Sequence, residues 1–215
     1  MQLAVYDLDG TITRHDTLLP YVAGFLNRQL WRWPGALRAL PTVAKFAAGK
    51  ADHGQLKSAF IKATLQGCSR SQLSDWTERF VRALLEDGLF LDARKSISAD
   101  RQQGGRLVLM SASTDLYVPA VGRALGFDEV ICTGIRWDGD RLQGDLTTPN
   151  RRGAEKARCF KALQERHPEL PTVAYGNAGS DLDHLQLAKR GFLVNGSTSA
   201  RLQAQSLGVA TVTWR

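Results

Sequence analysis

Two carboxylates stand two residues apart in Tyr6-Asp7-Leu8-Asp9-Gly10-Thr11, directly after a short apolar run. Three more groups carry reactive side chains: Ser111-Ala112-Ser113-Thr114, the lone Lys156, and Gly176-Asn177-Ala178-Gly179-Ser180-Asp181. Carboxylates, hydroxyls, a lysine and glycine-rich turns together suit a phosphate group and a hard cation, which takes oxygen ligands. Taken singly, each piece has an ordinary reading. Asp-x-Asp-Gly-Thr can be an Asx-capped turn. Ser111 can be a helix N-cap. Lys156 can be a solvated helix lysine, and Asp181 a first-turn carboxylate favoured by the helix dipole. Only a common location would turn them into a site.

The chain must therefore supply elements that gather them. Residues 2–7 read as a short apolar strand. From about 14 to 92 helical signals follow one another without a convincing strand. Gln55–Gln66 has helical spacing and stops at Gly67, and Ser69 with Gln72 forms a capping-box pattern opening a helix through Leu85. After residue 92 strands and helices alternate. Strands are predicted at Arg106–Met110, Glu129–Cys132, Thr172–Tyr175, 192–195 and 209–214. Helices are predicted at about 92–103, from Thr114 to Gly126, and at 153–166, 180–189 and 198–206. Asp138-Gly139 reads as the turn of a small hairpin. Alternation of this kind implies right-handed crossovers and a parallel sheet. The first strand has no other partner, so it joins that sheet and the helical stretch becomes an insertion. The fold expected is α/β, a Rossmann-like doubly wound parallel sheet with an inserted all-helical cap: core 1–13 and 93–215, cap 14–92. In such sheets chemistry sits at the carboxyl ends of the strands; three of the groups fall there, and a crossover helix brings Lys156 to the same edge.

These four groups, in this order, resemble the motifs of the haloacid dehalogenase superfamily, in its phosphoserine-phosphatase-like branch with a helical cap after the first strand. The resemblance spans essentially the whole chain. It implies a Mg²⁺-dependent phosphomonoester hydrolase working through an aspartyl phosphate. Asp7 would be the nucleophile, a role open to a carboxylate when positive groups neutralise the incoming phosphate. Asp9 would be the general acid and base. The Gly10 and Thr11 amides, Ser111, Ala112 and Lys156 would bind the phosphoryl group, with Lys156 also offsetting the charge of Asp7. The implied metal ligands are Asp7, the Asp9 backbone carbonyl, Asn177 and Asp181. Family members usually carry Gly-Asp where this chain has Gly176-Asn177. An amide oxygen can still ligate Mg²⁺, but with one negative charge fewer the affinity should drop.

The bulk numbers agree with a globular protein. The 215 residues are 43% hydrophobic and 23% charged, enough for one domain with a modest insertion. Cys68, Cys132 and Cys159 are scattered, which suggests reduced thiols and a cytoplasmic location. The four histidines show no zinc spacing with them. The first residues lack a secretory pattern, and no apolar run reaches the roughly 20 residues a membrane crossing needs.

The net charge of +7 is uneven: Arg14, Arg28, Arg32, Arg38, Lys45 and Lys50 face only Asp16 within residues 14–51. Such a patch attracts anions, although no nucleic-acid reading module accompanies it and no nucleic-acid partner is expected. In the same stretch Leu30, Trp33, Leu37, Leu40, Ala44 and Ala47 form a helical stripe. The ordinary expectation is that this stripe is cap core. The sharper one is a membrane-surface segment, with Trp31 and Trp33 beside arginines. Three functions stay open at this level: hydrolysis of a small phosphorylated metabolite, hydrolysis of a phospholipid head-group phosphate at a membrane surface, or phosphate binding by a regulatory protein weakened through Asn177. Oligomeric state is not encoded in any of these features.

Overall fold

The computed structural model describes all 215 residues. Its centre is a six-stranded sheet: β1 (Leu3–Tyr6), β2 (Arg106–Thr114), β3 (Glu129–Thr133), β6 (Thr172–Gly176), β7 (Arg190–Val194) and β8 (Ala210–Val212). The spatial order is β3-β2-β1-β6-β7-β8, and every pairing is parallel. β1 thus lies mid-sheet, where the order reverses, and its carboxyl end opens into the crevice where doubly wound folds bind ligands.

The strand pattern explains this position. All four residues of β1 are fully buried, as a strand covered on both faces requires. Alternate side chains then serve different cores. Ala4, Tyr6, Leu107 and Leu109 join Tyr21, Phe25, Ile61 and Val121. Leu3, Val5, Val108 and Met110 join Phe160, Leu163, Leu185 and Leu193.

Between β1 and β2 the chain is helical: α1 (Leu18–Arg28), a 3₁₀ segment (Leu30–Ala39), α2 (Leu40–Ala47), α3 (His53–Leu65), α4 (Arg70–Asp87) and α5 (Leu91–Gln102). Capping boxes open α3, from Asp52 and Gln55, and α4, from Ser69 and Gln72. α6 (Val118–Leu125) joins β2 to β3, and α7 (Ala154–Arg166) precedes β6. α8 (Leu182–Leu185) and α9 (Thr198–Ser206) follow β6 and β7. No helix is long and apolar enough to cross a membrane.

Three expectations shift. β2 continues through Ser111 to Thr114, with an irregular register against β3 after Met110, so α6 starts at Val118 rather than Thr114. The hairpin of β4 (Ile135–Asp138) and β5 (Arg141–Leu146) turns on Gly139-Asp140, one residue later than read, with Gly139 supplying the positive φ of 51°. The stripe expected to be cap core faces outward instead. Leu30, Trp33, Leu37 and Leu40 are exposed, and across the 3₁₀ segment and α2 only Ala39 is buried.

Candidate active site

Asp7 follows β1 directly, and its amide donates to the Tyr175 carbonyl (3.0 Å), extending the β1–β6 ladder by one residue. That bond fixes the carboxylate at the sheet edge, almost fully buried. Thr11 Oγ1 donates to Asp7 Oδ2 (3.0 Å), and Lys156 Nζ donates to Asp7 Oδ1 (2.6 Å). Lys156 is in the first turn of α7, also buried, and donates to Asp181 Oδ1 (2.8 Å). Asp181 Oδ2 accepts from the amides of Asn177 (3.2 Å) and Ala178 (3.0 Å) in the loop after β6. A single ammonium therefore bridges two carboxylates that follow the neighbouring strands β1 and β6.

The electrostatics follow from these bonds. Lys156 loses solvation, but Asp181 and Asp7 outweigh that loss and hold it charged. Asp181 is also desolvated, yet Lys156 and the amide donation pull it to about 2. Asp7 is the closer partner of Lys156, but its carboxyl is pushed up, because burial exceeds the help from Lys156 and the Asp181 charge opposes it. Asp7 is thus the member of the cluster short of positive charge.

Asp9 turns the other way. Its Oδ1 accepts from the Thr17 amide (2.8 Å) and hydroxyl (2.5 Å), and its Oδ2 from Ser113 Oγ (2.6 Å). Burial pushes its carboxyl up against the pull of those donors. Gly10 has φ +73°, and a Cβ there would lie 2.0 Å from Asn177 Nδ2. Only glycine lets the loop after β1 pass beneath Asn177, so the first and last groups of the sequence touch.

Asp7, Asp9, Ala112, Lys156, Asn177 and Asp181 line one cleft of about 480 Å³. Gly10 and Thr11 form the adjoining turn. Ser111 is fully buried, and its Oγ accepts from the Ser113 amide (3.0 Å). Ser113 is the serine of that run that faces the cleft.

Several lining residues were not singled out from sequence. From the cap come Leu18, Leu19, Val43, Leu56, Phe60 and Lys57, and from the loop before α7 come Asn150, Arg151 and Arg152. Lys57 donates to the Ala112 carbonyl and to Asn150 Oδ1 (2.5 Å), and desolvation lowers it to about 8. Beside Asp181 lies His184, buried with neither ring nitrogen bonded and lowered to about 3 by desolvation and the Lys156 charge, hence neutral. Only Ser113 had a local signal, as the second hydroxyl of a Ser-x-Ser run.

The groups near Asp7 can hold a hard cation. No three His, Cys, Asp or Glu side chains gather as a self-sufficient metal cluster. Yet Asp7, Asp181 and the Asn177 carbonyl oxygen supply oxygen donors, and the two buried carboxylates share a single ammonium. That donor set suits a divalent cation, and Mg²⁺ needs few protein ligands because it keeps several waters.

Known proteins share this sequence pattern and fold. Residues 4–186 match the model of the haloacid dehalogenase-like hydrolases. Protein CicA of Caulobacter vibrioides is 30% identical over 188 residues, covering 86% of this chain and 82% of CicA. A protein of Mycobacterium tuberculosis named a probable phosphatase is 24% identical over 215 residues, covering 95% and 72%. A phosphoserine phosphatase solved with substrate bound superposes with a TM-score of 0.69 at 14% identity, covering 98% and 92%. With a family match over residues 4–186 and a relative 30% identical over most of both chains, the chain belongs to the haloacid dehalogenase-like hydrolase family.

Proposed function

We propose that the chain is a Mg²⁺-dependent phosphomonoester hydrolase in which Asp7 carries the phosphoryl group. The observation that supports this most is the buried Asp7–Lys156–Asp181 bridge at the end of β1, with Asp9 two residues on and its carboxyl pushed up by burial. The phosphatase name of the mycobacterial relative and the phosphoserine phosphatase neighbour point the same way. A carboxylate oxygen of Asp7 forms a bond to phosphorus as the ester P–O bond breaks, and Asp9 gives its proton to the departing oxygen. Asp9, now ionised, removes a proton from water. The resulting oxygen attacks phosphorus, the Asp7–phosphorus bond breaks, and inorganic phosphate leaves. Lys156 offsets the charge on Asp7 and the phosphoryl oxygens throughout. Asp7, Asp181 and the Asn177 amide would hold Mg²⁺, which supplies charge neutralisation at the phosphoryl group.

Small phosphorylated compounds are the substrate class the neighbours support. A second reading, a substrate with an apolar part such as a phospholipid head-group phosphate, draws on Leu18, Leu19, Val43, Leu56 and Phe60 lining the cleft. For either class, Asp7→Asn should lower kcat on p-nitrophenyl phosphate by several orders of magnitude without loss of fold. Turnover above a few per cent of wild type would remove Asp7 from its role.

A further inference from the structure

The chain exposes eleven large apolar side chains, and six of them fall within residues 30–43. Trp31 is 73% exposed, Leu30 69%, Leu37 65% and Leu40 56%, with Trp33 and Val43 close behind. Single exposed apolar residues are ordinary; a concentration of this kind marks a contact surface. The segment is not loose. Gly35 packs so closely on α3 that a Cβ would lie 2.7 Å from the Ala63 carbonyl. Arg32 donates to the carbonyls of Thr64 (3.3 Å) and Gln66 (3.2 Å) while its guanidinium lies over the Trp31 ring at 4.6 Å. The 3₁₀ segment and α2 are thus pinned to the cap by one side and present their apolar side chains outward.

The charges around these side chains say what they meet. From residue 17 to 51 there is no aspartate or glutamate, and Arg28, Arg38, Lys45 and Lys50 are exposed among them. A second copy of the chain would set this basic surface against itself in a two-fold interface, which like-charge repulsion opposes. An anionic bilayer satisfies both features: tryptophan and leucine enter the head-group boundary, and lysine and arginine meet lipid phosphates. The patch also continues to the cleft, since Val43 is exposed and lines it, as does Leu19 of α1.

We infer that residues 28–50 form a peripheral membrane-binding surface that holds the mouth of the cleft against an anionic lipid bilayer. This rests on the exposed surface alone and stands whether or not Asp7 is the nucleophile. The test is co-sedimentation of the full chain with vesicles of phosphatidylcholine alone and with added phosphatidylglycerol. Two variants accompany it, Trp31→Ala/Leu37→Ser/Leu40→Ser and Lys45→Gln/Lys50→Gln, with thermal unfolding confirming the fold. Binding is expected only to the anionic vesicles. The charge variant should bind about 25-fold more weakly, roughly fivefold for each lysine, and the apolar variant should lose binding. Absence of binding by the wild type overturns the inference, as does binding that neither variant weakens. A concentration-dependent dimer that the apolar variant dissolves would assign the patch to a second copy instead.

Discussion

At the scale of single residues, few side chains hold the charge balance of the crevice. Lys156 bridges Asp7 and Asp181, and Asn177 stands where the motif this run resembles usually carries an aspartate. Asn177→Asp adds one negative charge beside a site already short of positive charge. Hard cations favour anionic oxygen over amide oxygen, so the Mg²⁺ concentration giving half-maximal activity should fall, by about tenfold if one charge-assisted contact is gained. A metal titration of wild type, Asn177→Asp and Asp181→Asn measures this. An unchanged requirement in Asn177→Asp, with a large rise in Asp181→Asn, would leave Asp181 as the ligand and Asn177 as a spacer over Gly10. Asp7, Asn177 and Asp181 were legible in sequence because each falls in a short run after a strand, where local pattern and chemistry coincide, whereas Lys156, alone in the first turn of α7, was legible only through the family resemblance. Thr17 and its bonds to Asp9 were not, since nothing within a few residues of Thr17 announces the partner.

Among elements, the cap helices did what sequence could not foretell. α3 was legible through its spacing, but the inward reach of Lys57 depends on how α3 lies across the loop after β2. An ammonium has three donors, and Lys57 uses two on Ala112 and Asn150, leaving one for the cleft. With the lysine lowered to about 8, the charge is present below that pH and lost above it. KM for a phosphate ester should therefore rise as pH passes about 8, while kcat changes less. Lys57→Met should raise KM roughly tenfold or more at pH 7 and flatten the profile, and Lys57→Arg should keep KM low at higher pH. A wild-type KM that is flat from pH 7 to 9 would separate Lys57 from substrate binding. The stripe from Leu30 to Ala47 was misread for a physical reason. Periodicity says which residues share a face, not what that face meets. Half of this segment is moreover 3₁₀ around Pro34, where side chains eclipse every three residues rather than follow the α-helical period.

Across the whole molecule, sequence and structure agree where burial dictates the answer. β1 is buried on both faces, its neighbours are parallel, and the reversal of strand order beside it brings groups more than 160 residues apart into one crevice. Such a fold gathers its ligand site from strand ends. In the proposed reaction the phosphoryl group passes through Asp7 rather than directly to water. The most direct measurement is rapid quenching of Asp9→Asn with radiolabelled p-nitrophenyl phosphate, whose leaving group departs without a proton from Asp9, and Mg²⁺, followed by hydroxylamine treatment and peptide mapping. Without Asp9 to activate water, label should accumulate, be released by hydroxylamine, and map to Asp7. Turnover by the wild type with no hydroxylamine-labile label in either protein, or label on any other residue, would contradict the account.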